Sequence, residues 1–76
     1  MYTMLNLVAN NQPQVMPRIL RVFTSQGMIY QNLWVSVTED AKFLMLEVEA
    51  KETGFSERFV RLLEKLVDVI EVKWQV

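Results

Sequence analysis

The spacing of apolar residues changes from helical to strand-like twice along this chain, once at Gly27 and once at Asp68. In the segments 18–27 and 59–66, which precede these residues, apolar side chains recur three and four positions apart, as in an amphipathic helix. After each of them, apolar and polar residues alternate as in a strand with two different faces. The pattern therefore predicts a helix followed by a strand, twice.

Two more strands are predicted, from Tyr2 to Ala9 and from Phe43 to Ala50. The second of these follows the strand from Ile29 to Thr38 after a break at Glu39-Asp40, so the two form a hairpin. One face of the later hairpin strand is wholly apolar and is expected to contact the helices. That face consists of Leu44, Leu46, Val48 and Ala50.

The first helix is expected to begin near Gln14 or Val15, because Pro17 is tolerated only in a first helical turn. It is expected to end at Gly27, since glycine is favoured where a helix ends with a positive φ. Its predicted buried stripe consists of Val15, Ile19, Val22 and Phe23.

The second helix has two candidate N-cap residues, Thr53 and Ser56. Its apolar residues fit the i, i+3, i+4, i+7 template of a buried stripe. In the strand after Asp68, one face is expected to be apolar and the other exposed to solvent. The helical stripe is Phe59, Leu62, Leu63 and Leu66, and the strand's apolar face is Ile70, Val72, Trp74 and Val76.

The resulting element order is βαββαβ. Two right-handed crossovers that share a central hairpin give a four-stranded antiparallel sheet in the order 4-1-3-2, with both helices on one face. We therefore expect an α+β, ferredoxin-like sandwich that spans residues 1–76 as a single domain.

Composition and charge exclude several classes of function. At 76 residues the chain has room for one small core, which buries roughly 60% of the unfolded surface. Its net charge is −1, and Lys and Arg occur singly, so no basic patch is available for nucleic acid or an anionic membrane. No apolar stretch approaches the ~20 residues of a membrane span, and residues 1–6 contain no basic leader. We therefore expect a cytoplasmic protein.

Catalytic residues are scarce. The sequence contains no cysteine and no histidine, which excludes disulfides, thiolate metal sites and the usual nucleophile–histidine pairs. Glu47 and Glu49 share a strand face, but such an acidic pair is typical of a solvated surface. We expect no enzymatic activity, no cofactor and no metal site.

Three classes of protein with this topology are disfavoured. Acylphosphatases need an anion-binding loop and an arginine after the first strand, but residues 10–15 contain neither a glycine nor clustered bases. RNA-recognition domains place basic residues beside stacking aromatics, whereas Glu47 and Glu49 accompany Phe43 here. Heavy-metal-binding domains need paired cysteines.

Aromatic and apolar residues are also predicted on the sheet face away from the helices. Tyr30 and Trp34 are expected to share that face, beside Phe43 and Met45 of the hairpin partner. They form either a partly covered surface of a monomer or a surface for association, and we favour association. The second strand is moreover an edge, where another chain can pair with it.

Two segments carry a family resemblance. The run from Asn11 to Gly27, NQPQVMPRILRVFTSQG, resembles the opening of an ACT domain, a small ligand-binding regulatory module. The run 62–72, LLEKLVDVIEV, is similar to the ACT domain of the short regulatory small subunit of acetohydroxyacid (acetolactate) synthase. The resemblance covers roughly residues 3–74.

This resemblance implies a homodimeric, non-catalytic subunit in branched-chain amino acid biosynthesis. Such a subunit binds and activates the large, thiamine-diphosphate-dependent subunit, and many members confer feedback inhibition by valine. ACT domains usually pair sheet to sheet and hold an amino acid between the first loop of one chain and the second strand of its neighbour. A second hypothesis is a free-standing ACT homodimer that senses another small ligand, and an enzyme of the acylphosphatase class is a third.

The resemblance also implies ligand-binding positions. The family's loop matches Asn11, Pro13 and Val15, but Gln14 replaces its glycine and Met16 its leucine. Near Tyr30, Ile29 replaces an asparagine that would help to hold the effector. We therefore expect weak or absent valine feedback, and the alternative is that Asn11 and Gln14 only form a turn and a helix start. The candidate site is thus Asn11, Gln14, Val15, Met16, Ile29 and Tyr30.

Overall fold

The computed structural model describes residues 2–51 and 56–75, so the candidate cap Thr53 and the predicted strand residue Val76 lie outside the described residues. Within these ranges the order of elements is the predicted βαββαβ. The elements are β1 (Tyr2–Asn10), α1 (Val15–Ser25), β2 (Tyr30–Val37), β3 (Phe43–Lys51), α2 (Glu57–Glu64) and β4 (Val69–Gln75).

The strands form one sheet in the order β2-β3-β1-β4, and every neighbouring pair is antiparallel. This is the predicted 4-1-3-2 order, with β2 and β4 at the edges. Both helices pack against the same face of the central strands, where the predicted apolar face of β3 is buried. The core consists of Leu5, Leu7, Ala9, Val15, Ile19, Phe23, Leu44, Leu46, Val48, Ala50, Phe59, Val60 and Leu63.

Both helices begin or end as their local sequence dictates. Gly27 has a φ of 63° and ends α1, as predicted. Its N–H donates to the Thr24 carbonyl at 3.1 Å and that of Met28 to the Phe23 carbonyl at 2.9 Å, the pair of bonds that defines a Schellman cap. At the start of α2, the Ser56 hydroxyl accepts from the Phe59 N–H at 3.1 Å. Ser56 is therefore the N-cap.

An irregularity in β2 corrects the predicted position of Tyr30. The register between β2 and β3 shifts between Tyr30 and Asn32, so Tyr30 aligns with the buried Ala50 while Trp34 aligns with Glu47. A bulge adds one residue to a strand and so reverses the side on which earlier side chains lie. Tyr30 accordingly contacts Phe23 of α1 edge to face, with ring centroids 5.8 Å apart. The expectation that Tyr30 shares a face with Trp34 is wrong.

A second irregularity changes the face of Ile70. The pairing of β1 with β4 shifts between Val8 and Ala9, so Ala9 aligns with Val69 instead of with Ile70. Val69 packs partly buried against the core, whereas Ile70 is exposed. The strict alternation predicted for β4 therefore holds from Glu71 onward and fails at Ile70.

The buried stripe of α2 also differs from its prediction. Phe59, Val60 and Leu63 are buried, whereas Leu62 is only partly buried and Leu66 packs at the margin of the core. Phe59 meets Phe23 of α1 edge to face, with ring centroids 5.0 Å apart. The rotation of α2 therefore buries Val60 and leaves Leu62 partly exposed.

Two neighbouring leucines of α2 test this orientation. Leu63→Ala should lower the free energy of unfolding by about 2–5 kcal/mol, because it removes a fully buried side chain and leaves a cavity. Leu62→Ala, the same change one position earlier, should cost less than about 1 kcal/mol because Leu62 is outside the core. Urea unfolding followed by circular dichroism measures both values, and equal losses would contradict the orientation.

Candidate functional site

The residues of the predicted ligand site lie at opposite ends of α1. Asn11 and Gln14 precede the helix, whereas Ile29 and Tyr30 follow it. A helix of 11 residues is about 16 Å long. One chain therefore does not bring the two halves of this predicted site together.

Asn11 is engaged within its own chain. Its side-chain amide donates to the Ala41 carbonyl at 2.9 Å, and its backbone N–H donates to the Lys42 carbonyl at 3.0 Å. Both acceptors lie in the turn between β2 and β3, where Ala41 has a φ of 61°. Asn11 thus ties the β1–α1 loop to the hairpin turn.

The N-terminus of α1 offers few donors to an anion. The Val15 N–H donates to the Gln12 carbonyl at 3.1 Å, Pro17 has no N–H, and the Arg18 N–H donates to the Gln14 carbonyl at 3.3 Å. Among the described first-turn donors this leaves the N–H of Met16. Anion sites at helix N-termini depend on several free N–H groups together. A carboxylate ligand would therefore be held weakly here.

An acidic side chain lies beside this helix start. The Gln14 side-chain amide donates to Asp68 Oδ2 at 3.4 Å, and the Asp68 carbonyl accepts from the Asn10 N–H at 2.8 Å. The sequence marked Asp68 only as the point where strand spacing begins. The hydrogen bond between Gln14 and Asp68 links residues that are 54 positions apart in the sequence, and no local motif predicts such a contact.

The other predicted ligand residues have different surroundings. Val15 is buried in the core and Met16 packs partly buried against it, so both support the helix. Ile29 is 81% exposed at the opposite end of α1. Their roles in binding an amino acid stay predictions.

The sheet face away from the helices, called the open face below, contains three of the four predicted interface residues. Trp34 and Met45 are about half exposed and Phe43 is partly buried. Trp34 and Met45 border a depression of about 350 Å³ on this face. The remaining lining side chains on this face are Asn6, Val8, Ser36, Glu47 and Glu71.

The outer edge of β2 is a second uncovered surface. Val35 aligns with Leu46 and Val37 with Leu44, so both lie on the helix side of the sheet. They nevertheless remain 47% and 49% exposed. Among the described residues β3 is the only neighbour of β2, so the backbone groups on the other side of β2 have no strand partner there. The predicted strand order placed β2 at this edge, but it did not predict the exposure of the two valines.

The described residues contain no cluster of metal-ligating side chains. Within the same part of the chain, neither helix has the length and apolar character needed to cross a bilayer.

The turn between β2 and β3 contains the one titrating group with a clear shift among the described residues. The Thr38 hydroxyl donates to Asp40 Oδ1 at 2.7 Å, and the Lys42 N–H donates to the same oxygen at 3.1 Å. These bonds favour the ionised form, the Thr38 bond most, and hold the pKa of Asp40 below its ordinary value. The carboxylate thereby helps to fix the turn that Asn11 contacts.

No protein-family model matches the sequence, and no curated protein matches it. Solved structures share its fold. The ACT domain of GTP pyrophosphokinase from Chlorobium tepidum has a TM-score of 0.73 at 12% identity, with 99% of this chain and 97% of that chain covered. The regulatory subunit of aspartate kinase from Thermus flavus has a TM-score of 0.76 at 12% identity, with 97% of this chain and 50% of that chain covered.

The small subunit of acetolactate synthase from Thermotoga maritima is also similar, with a TM-score of 0.75 at 21% identity. This match covers 96% of the present chain and 46% of that subunit. The chain thus spans about half the length of the aspartate kinase and acetolactate synthase subunits. It has the ferredoxin-like fold that ACT domains share.

The hydrogen bonds around Asp40 predict a pH dependence. Because its pKa is lower in the folded than in the unfolded chain, Asp40 stabilises the fold above its unfolded pKa, and this contribution disappears as pH falls through the folded pKa. In Thr38→Val the pKa of Asp40 should rise, because the main hydrogen bond is lost. Thr38→Ser, which keeps a hydroxyl, should retain the low value. Carboxyl ¹³C chemical shifts followed by NMR from pH 6 to 2 measure this, and a pKa unchanged by Thr38→Val contradicts it.

Proposed function

We propose that this chain is a non-catalytic regulatory subunit that acts by binding a catalytic protein in the cytoplasm. Its proposed partner is the large, thiamine-diphosphate-dependent subunit of acetohydroxyacid (acetolactate) synthase, in branched-chain amino acid biosynthesis. The observation that carries the proposal is the exposure of three apolar side chains of β2, Trp34 on the open face and Val35 and Val37 on the helix side of the sheet. Such surfaces are typical of proteins that associate.

Two further observations support this choice. The sequence contains no histidine or cysteine, so the common catalytic arrangements are missing. The chain resembles synthase small subunits in its segments 11–27 and 62–72, and its structure superposes on the Thermotoga maritima small subunit.

A homodimer formed through β2 accounts for the exposed edge. Antiparallel pairing of two β2 strands would satisfy the outward backbone groups and cover Val35 and Val37. It would also place the start of one β2, near Tyr30, at the end of its partner's β2. Because Asn11 contacts the turn after β2, this arrangement brings together the two halves of the predicted ligand site.

Feedback by valine is proposed to be weak or absent. A bound amino acid would present its carboxylate to the start of α1, where Met16 supplies the remaining N–H and Asp68 adds a negative charge nearby. Like charges at short distance oppose binding. Regulation would then operate through the protein contact itself.

Reconstitution tests the proposed partner. Adding the chain to the purified large subunit should produce a stable complex and raise synthase activity several-fold, and valine should inhibit the complex little or not at all. Calorimetry with valine, leucine and isoleucine checks effector binding separately. Absence of a complex, together with tight binding of one small ligand, would favour the free-standing ACT homodimer. Tight, stoichiometric valine binding would contradict only the weak-feedback proposal.

The dimer makes a separate prediction. Val35→Glu should shift the chain from dimer to monomer in sedimentation velocity, because it places a charge at the paired edge. Val67→Glu is the matched control, since Val67 is 88% exposed between α2 and β4. A wild-type monomer at all concentrations, or an unchanged dimer in Val35→Glu, would contradict pairing through β2.

A further inference from the structure

The open face has an apolar centre with acidic surroundings. Register places its side chains in rows across the sheet. Along each row neighbouring strands lie about 4.8 Å apart, so the four strands span roughly 14 Å. That width suits one helix of a partner protein, which is about 10 Å across. One row is Ser36, Met45, Val8 and Glu71, and the next is Trp34, Glu47, Asn6 and Lys73.

Charges on this face have one predominant sign. Among its described side chains, Glu47, Glu49 and Glu71 carry negative charge, and Lys73 carries positive charge. Lys73 Nζ lies 3.8 Å from Glu71 Oε1. Glu49 Oε1 accepts a hydrogen bond from the side-chain amide of Asn32 at 2.7 Å. Glu47 is exposed between Trp34 and Asn6 on the neighbouring strands. A carboxylate is thus available directly beside the largest apolar side chain of the face.

We propose that the open face is the docking surface for the catalytic partner, and that it receives an amphipathic segment bearing apolar side chains and at least one Arg or Lys. Trp34, Met45 and Val8 would contact the apolar side chains in the depression, and Glu47 would pair with the cation. This inference rests on the proposed function, because it names the surface through which that function acts. Buried tryptophans next to complementary charge are typical centres of binding energy at interfaces.

A second copy of this chain fits the open face poorly. Two open faces placed together would bring two predominantly negative surfaces into contact, and like charges across an interface cost free energy. An open face stacked on the helices of another copy would leave one molecule with a free helical layer and the other with a free open face, so the assembly would keep growing unless it closed into a ring. The dimer proposed through β2 leaves the open face accessible.

Four variants and the large subunit of the synthase test this surface. Trp34→Ala and Glu47→Lys should each weaken binding about tenfold or more, measured by calorimetry with the 76-residue chain. Trp74→Ala is the matched control for Trp34→Ala, because the two tryptophans have similar exposure, 40% for Trp74 and 49% for Trp34. Trp74, however, aligns with Leu5 and so lies on the helix side of the sheet. Glu64→Lys, at the exposed end of α2, makes the same charge change as Glu47→Lys. Both controls should bind within about twofold of wild type.

Salt dependence gives a readout that a general loss of structure would not produce. Raising NaCl should weaken wild-type binding, and Glu47→Gln should reduce that dependence. Circular dichroism confirms that each variant is folded. Unchanged binding by Trp34→Ala and Glu47→Lys would overturn the open-face proposal while the proposed function stands. No binding by wild type would overturn both, and concentration-dependent growth of the chain alone into open-ended assemblies through this face would show that the occupant is another copy.

Discussion

The burial of one sheet face under two helices is the constraint on which the rest of this structure depends. β1 and β3 occupy the centre of the sheet, and their inward side chains pack with Ile19 and Phe23 of α1 and with Phe59 of α2. The contact between Phe23 and Phe59 joins the two helices above the sheet. The core of the described residues has this single helical layer. Within the same part of the chain nothing covers the open face or the outer edge of β2, and the proposed contacts with other proteins lie on these two surfaces.

Periodicity predicted most of the fold because the helices and strands present clear apolar faces. The element order, the sheet order and the helix end at Gly27 all follow from local patterns and from the handedness of the crossovers. The sides of the sheet on which Tyr30 and Ile70 lie could not be predicted from these patterns, because a bulge depends on how two strands pair and not on the alternation within one strand. Val60 lies in the core instead of the predicted Leu62, because helix packing as well as the spacing of apolar residues sets the rotation of α2.

The candidate site was less predictable than the fold. Trp34 and Met45 were correctly predicted on the open face, because strand alternation fixes the side on which they lie. The link between Gln14 and Asp68 joins distant parts of the chain and has no local signature. The exposure of Val35 and Val37 depends on where the helices lie over the sheet, which apolar spacing does not specify. The start of α1 and the exposed sheet surfaces both support the proposed function, in which the chain acts by association with protein rather than by capture of an amino acid.

Hydrogen exchange of the β2 amides, measured at low and high protein concentration, tests most directly whether the uncovered edge is completed by another chain. If two β2 strands pair, the alternate amides of β2 that face away from β3 should become protected as concentration rises, while β3 amides should keep the same protection throughout. Rapid exchange of those outward β2 amides at every concentration would contradict it.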